Sequence, residues 1–355
     1  MNERFSSRWK RRAVTIPTML AATALGMLAL PLLVVVAAVF DIARLRRRLP
    51  TVRVLIFLIQ YGLNDSAEIL LAPIYWIAAG FGTTLASPSS VDRHQRLQAW
   101  SLALLARRAE QLLGLRIQVD DAGWEALAGD PPIVLCRHVS IVDSSLPALL
   151  YQRLGFRSCG VIMAELLADP GFDLLYQRSG SVFVSRDNGP EAQETIAGLG
   201  RDARADTATI IFPEGQLFRP ERLARSLARI AERDPSRAQN LQGLRNVLPP
   251  RPGGFLALLE TLPPRDVVVI AHAGLEALPT FAQLATSVPL RMPIHVTAWR
   301  VASSDIPSDR EGCAVWLDAQ WLRLDDWCDA SQGALQDRLM DSLRRNDSER
   351  DDNST

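Results

Sequence analysis

The stretch Pro131-Pro132-Ile133-Val134-Leu135-Cys136-Arg137-His138-Val139-Ser140-Ile141-Val142-Asp143 decides how this chain is read. Four apolar residues behind a Pro-Pro breaker predict a short strand covered on both faces, and Ser140 with Asp143 has the spacing of a helix-capping pair. His138 then falls at the carboxyl end of a strand, just before a helix start. In open α/β sheets that edge binds ligands, because the strand stops there and the next helix presents its amino terminus. Two roles compete for the pair. In one, Asp143 only closes the cap and His138 is an incidental loop residue. In the other, Asp143 fixes the imidazole tautomer and leaves the second ring nitrogen to take a proton from an attacking hydroxyl. The spacing alone is too common to choose between them.

Outward from this stretch, more strands follow the same rule. Residues 180–185 read as a strand ending at Arg186, residues 207–212 as one ending at Pro213-Glu214-Gly215, and residues 266–271 as a further candidate. Upstream, Leu97, Trp100, Leu104, Leu105, Leu112 and Leu113 recur near helical spacing, and Gly114 ends that run before an alternating strand over 115–119. A parallel sheet would carry a base (His138), a cation (Arg186) and an acid (Glu214) to one rim. Any one could be a surface residue, but three together read as a site.

The chain begins differently. Residues 13–40 contain no charge, and these 28 residues would cover roughly 42 Å as a helix against a hydrocarbon core of about 30 Å, so they predict a transmembrane helix. Arg4, Arg8, Lys10, Arg11 and Arg12 precede it, and Arg44, Arg46, Arg47 and Arg48 follow, so charge does not set its orientation. A second apolar region, 54–86, is interrupted by Asn64, Asp65, Ser66 and Glu68. Four polar residues are costly at mid-bilayer, so this region reads as two shorter pieces of a re-entrant or interfacial hairpin, with Pro73, Tyr75 and Trp76 suited to an interface. The other expectation is that 69–85 forms a helix packed on the soluble part.

Composition narrows the function classes. The 355 residues carry 39 basic and 39 acidic side chains, which argues against a nucleic-acid binder. Cys136, Cys159, Cys313 and Cys328 have no C-x-x-C spacing, and His94, His138, His272 and His295 are scattered, so neither a metal site nor a disulfide framework is expected, and a reducing compartment fits. No G-x-S-x-G elbow and no phosphate-loop GK[ST] occurs. Arg219, Arg222, Arg225, Arg229, Arg233 and Arg237, interleaved with Leu223, Leu227 and Ile230, read as one basic amphipathic helix. It would rest on anionic headgroups or pack its apolar stripe on the domain. Residues 344–355 are wholly polar and read as disordered.

With these blocks in hand, the chain from about Leu97 to Trp327 resembles the glycerolipid acyltransferases, and within them the 1-acylglycerol-3-phosphate (lysophosphatidic acid) acyltransferases. The matching blocks are the H-x4-D of His138 and Asp143, Gly180 to Arg186, Phe212-Pro213-Glu214-Gly215, and Val247-Leu248-Pro249-Pro250. The resemblance implies an α/β fold with a mixed, mostly parallel sheet flanked by helices, behind amino-terminal membrane helices. It divides the chain into a basic amino terminus and membrane helix (1–50), a second membrane-associated segment (51–90), an acyltransferase domain (91–335) and a polar tail (336–355). It implies transfer of a fatty acyl group from an acyl thioester, carried by CoA or acyl carrier protein, to the free hydroxyl of lysophosphatidic acid, with no cofactor or metal. His138 would be the base, Asp143 would orient it, Arg186 would hold the acceptor phosphate, and Glu214 and Gly215 would shape the acceptor site. Gln216-Leu217 stands where the family often has Thr-Arg, which leaves Arg219 as candidate for a second phosphate contact and keeps other lysophospholipid acceptors, or a silent lipid-binding scaffold, as alternatives. Arg137 stands where asparagine is frequent, and is expected either to assist substrate binding or to face solvent. The implied location is a membrane, with the catalytic domain on the cytoplasmic side and lipids as partners.

Overall fold

The computed structural model describes residues 5–185, 189–276, 278, 280, 283 and 286–352. Its centre is a seven-stranded sheet in the order β1-β7-β6-β2-β5-β3-β4. The strands are β1 (Ile117–Val119), β2 (Ile133–Cys136), β3 (Arg157–Met163), β4 (Val182–Val184), β5 (Thr207–Ile211), β6 (Val267–Ala273) and β7 (Ile294–Val301). Every neighbouring pair is parallel except β6 with β7. The expected mixed, mostly parallel sheet is therefore what forms, and β2 lies at its middle between β6 and β5.

The quoted stretch explains that position. All four residues of β2 are buried, as a strand covered on both faces requires. Successive side chains point to opposite faces. Ile133 and Leu135 accordingly join one core cluster, with Phe255 and Trp321, while Val134 and Cys136 join the other, with Leu146 and Leu150. On the first face lie α6 (Gly189–Asp202), α7 (Pro220–Ala231), α8 (Pro235–Leu241), α9 (Pro252–Thr261) and α10 (Arg310–Asp352). On the second lie α4 (Asp121–Leu127) and α5 (Leu146–Arg153). Because β2, β3, β4, β5 and β6 run the same way, their carboxyl ends share one edge.

Two long helices precede the sheet, α1 (Phe5–Ala43) and α2 (Pro50–Ala78), followed by α3 (Pro88–Arg108). α1 and α2 are long and apolar enough to cross a membrane. They pack on each other at small residues: a Cβ on Gly62 would come within 2.6 Å of Thr23 Oγ1, so only glycine lets the helices approach this closely. Asp41 ties their ends together, its carboxylate accepting from Thr51 N at 2.9 Å and Thr51 Oγ at 2.7 Å at the start of α2. α2 corrects the expectation of two interrupted pieces, because it is one continuous helix. Its polar residues face the domain instead of lipid: Asn64 donates to Ser101 Oγ of α3 at 2.6 Å, Ser101 bonds Glu68, and Tyr61 donates to Asp169 at 2.5 Å. Buried polar groups that are hydrogen-bonded need not break a helix. The outward faces of both helices stay apolar and exposed, with Leu25, Leu28, Leu32, Val36, Leu70 and Ile74 among them.

Two further expectations are revised. The basic run 219–237 is two helices, broken at Asp234-Pro235, where proline starts α8 and the Asp234 side chain accepts Arg237 N. Its apolar stripe packs on the domain, Leu223 buried and Leu227 and Ile230 against the same cluster. The carboxyl-terminal tail is helical as far as Asp352, because after Gly333 it holds no glycine or proline and is rich in good helix formers. Residues 353–355 lie outside the described residues.

Candidate functional site

The chain leaves β2 at Arg137 and turns through His138–Val142 into a 3-10 turn, Asp143–Ser145, that feeds α5. Asp143 organises this turn. Its Oδ2 accepts Val139 N at 2.7 Å and Ser140 N at 2.8 Å, and its Oδ1 meets His138 Nδ1 at 2.6 Å. The two roles weighed for Asp143 thus coexist, one oxygen closing the loop and the other holding the imidazole. Ser140 does not cap as expected: its Oγ donates to Leu278 O and accepts from Val142 N. Burial of Asp143 pushes its carboxyl up. The hydrogen bond and charge of His138, the charge of His272 and the Ser140 N–H outweigh that and hold it below the usual carboxylate range. Asp143 is fully buried, whereas the His138 side chain keeps 19% of its surface. Since a carboxylate can only accept, Nδ1 carries the proton and Nε2 remains as an acceptor at the surface. His138 also rests against Phe212, ring centres 4.7 Å apart.

Glu214 reaches the same place from β5, but as a bracket. It is 1% exposed; one carboxylate oxygen accepts His138 N at 3.0 Å and the other Leu248 N at 2.9 Å. The second and third sides of the site, Phe212–Gly215 and Val247–Pro250, are thereby pinned to the backbone of the histidine itself. Burial raises Glu214 to about 8 against the lowering effect of those two N–H groups and of Arg137. Gly215, at φ +66°, makes the turn that follows, its N–H donating to Phe212 O. Arg219 stands at the start of α7 with its guanidinium on Phe218 O, and Phe218 N in turn donates to His138 O at 2.6 Å. Arg186 lies outside the described residues. The strand that leads to it, β4, ends on the same sheet edge as β2 and β5.

Arg137 is placed where neither expectation put it. It is fully buried, with NH1 on His272 O at 2.6 Å and Glu276 at 3.0 Å, NH2 on Asn246 O at 2.9 Å, and Cys328 Sγ of α10 2.9 Å from NH1. A guanidinium with these partners joins β2, β6, the loop before Val247 and α10. It neither faces solvent nor reaches an open surface. His272, at the end of β6, was read only as one of four scattered histidines, yet its Nε2 is 3.5 Å from Asp143 Oδ2. The signal for it was its position at the end of a predicted strand, on the edge that already held His138. Two cavities, one lined by Gln98 and Gln152 and one by His295 and Trp327, lie away from this constellation.

A part-exposed histidine backed by a buried carboxylate can take a proton from a hydroxyl and return it to a leaving group. Comparison with known proteins agrees with that chemistry, since residues 118–273 match the family model described as Acyltransferase. This segment is similar to acyltransferase domains. It contains β2, β5 and β6 and so all of His138, Asp143, Glu214 and His272. No curated protein sequence matches the chain. Among solved structures, the crystal structure of the 1-acyl-sn-glycerophosphate (LPA) acyltransferase PlsC from Thermotoga maritima is similar at 17% sequence identity and a TM-score of 0.41, over 76% of this chain and 97% of that one. Among the described residues no cluster suited to a metal ion occurs.

Proposed function

We propose that this acyltransferase moves a fatty acyl group from an acyl thioester, on CoA or acyl carrier protein, to the free hydroxyl of lysophosphatidic acid and so forms phosphatidic acid. The observation that supports it most is the 2.6 Å contact between His138 Nδ1 and Asp143 Oδ1 at the open edge of the sheet. In this account the lysolipid hydroxyl gives its proton to His138 Nε2 as its oxygen attacks the thioester carbonyl carbon. Asp143 stabilises the imidazolium. The tetrahedral intermediate expels the thiolate, the C–S bond breaks as the ester C–O bond is kept, and His138 returns the proton to sulfur. No covalent enzyme intermediate is needed, because a thiolate leaves readily and positioning carries much of the barrier.

Arg186, carried over from the motif resemblance, would hold the acceptor phosphate, and the apolar outer faces of α1 and α2 would seat the domain on the membrane that supplies the acceptor. Gln216-Leu217, in place of the family's frequent Thr-Arg, favours a second reading in which another lysophospholipid is the acceptor. An assay of the full chain in membranes with labelled acyl-CoA and a panel of lysolipids tests both. Preference for lysophosphatidic acid supports the first reading, preference for another lysolipid the second, and no transfer to any lysolipid contradicts both. Within that assay Arg186→Ala is expected to raise KM for the acceptor far more than for the donor; equal effects would remove Arg186 from the phosphate role.

A further inference from the structure

The acyl-transfer step makes no use of His272, although it is a fully buried imidazole on the sheet edge that carries His138. It is the penultimate residue of β6, the strand beside β2. Its Nε2 lies 3.5 Å from Asp143 Oδ2 and 3.4 Å from the Arg137 carbonyl. Both neighbours are acceptors, so Nε2 carries the ring proton. Among the described residues Nδ1 has no hydrogen-bond partner, and burial pushes the ring down to about 4, so it is neutral. The residue cannot drift, because its carbonyl takes the Arg137 guanidinium at 2.6 Å and the Cys328 thiol at 3.8 Å. The ionisable groups facing the His272–Asp143 pair are His138, Cys136 and Arg137 from β2 and its loop, Glu214 after β5, Glu276 after β6, and Cys328 on α10.

We propose that His272 is a positioning residue of the acyl-transfer site: its Nε2–H, bonded to the Arg137 carbonyl and set 3.5 Å from the Asp143 oxygen that His138 does not use, steadies that carboxylate and tempers its charge through the N–H dipole. The proposal rests on His138 acting as the base. A carboxylate that loses this nearby N–H dipole holds an imidazolium more tightly and orients it less well, so the base gives up its proton at higher pH and the reactive geometry is populated less.

Two near-isosteric variants separate this from a packing role. His272→Gln keeps an amide N–H where Nε2 was, and His272→Asn withdraws it and leaves an amide at the Nδ1 position. In full-length protein in membranes, H272N is expected to lower kcat/KM for acyl transfer about tenfold, the scale of one buried polar interaction lost beside a charged group, and to move the acidic limb of its pH profile upward. H272Q is expected to restore both. Equal behaviour of the two variants, or a loss of rate with the acidic limb unmoved, overturns the proposal. Should H272N not fold, imidazole NMR of the unmodified protein decides: a proton on His272 Nε2 supports it and a proton on Nδ1 overturns it. His138→Ala, run in parallel, keeps the premises apart, since turnover by that variant would remove the base and leave the His272 tautomer result standing.

Discussion

At the scale of single residues, the site depends on carboxylates that each hold two things at once. Asp143 closes its own loop with one oxygen and holds His138 with the other; Glu214 fastens the His138 backbone with one oxygen and the Leu248 backbone with the other. Glu214→Gln would set an NH2 group against one of those N–H donors, and it is expected to cost about 1–3 kcal/mol, the penalty of a buried donor left unmade, measured by denaturant unfolding. Its pH dependence has a definite sign. Glu214 binds its proton more tightly folded, at about 8, than unfolded, so its contribution is fully present below the ordinary glutamate range and is lost as pH rises through about 8. Asp143 is the reverse: its contribution is present above the ordinary aspartate range and is lost as pH falls through its depressed folded value. Tm against pH should therefore fall less steeply between pH 5 and 8 in E214Q than in the unmodified protein, and parallel curves would contradict this. The His138–Asp143 pair was legible because both residues sit in one uninterrupted stretch. Arg137 was not, although it is their neighbour, because Asn246 and Cys328 that claim its guanidinium stand 109 and 191 residues away.

At the scale of elements, β1, β2, β4, β5 and β6 were legible, β3 and β7 were not, and the α1–α2 pair was legible only in part. A strand shows its burial in four or five consecutive residues, and β2 and β5 needed no more than that. α2 needs partners from elsewhere: Ser101 for Asn64 and Glu68, and Asp169 for Tyr61, turn an apparent interruption into a face docked on the domain. Seen without those partners, four polar residues could only look like a break. The pair makes two element-level predictions. Asp41→Ala, which strips the side-chain acceptor from the start of α2, is expected to destabilise by about 1–2 kcal/mol, as loss of a cap does, read from thermal unfolding. Gly62→Val would drive a side chain into Thr23 and is expected to cost about 1–3 kcal/mol through overpacking and to increase proteolytic cleavage between Ala43 and Pro50. Unchanged stability in either would mean that the two helices are not held as described.

At the scale of the whole molecule, the carboxyl-terminal helix supports the site from behind. Asp325 of α10 accepts Arg245 N at 3.0 Å and Asn246 N at 2.6 Å, Asn246 O holds Arg137, and two residues on Leu248 N holds Glu214. Asp325→Ala is therefore expected to lose about 2–3 kcal/mol of stability and to lower kcat, although Asp325 is buried and lies outside the segment that matches the acyltransferase family. Stability lost with kcat intact would show that α10 supports the fold alone. All of these links converge on one imidazole. The most direct measurement is phosphatidic acid formation from labelled acyl-CoA and lysophosphatidic acid by full-length His138→Ala. No product above background is expected, with the fold intact, and turnover at the unmodified rate would contradict the role of His138 as the base.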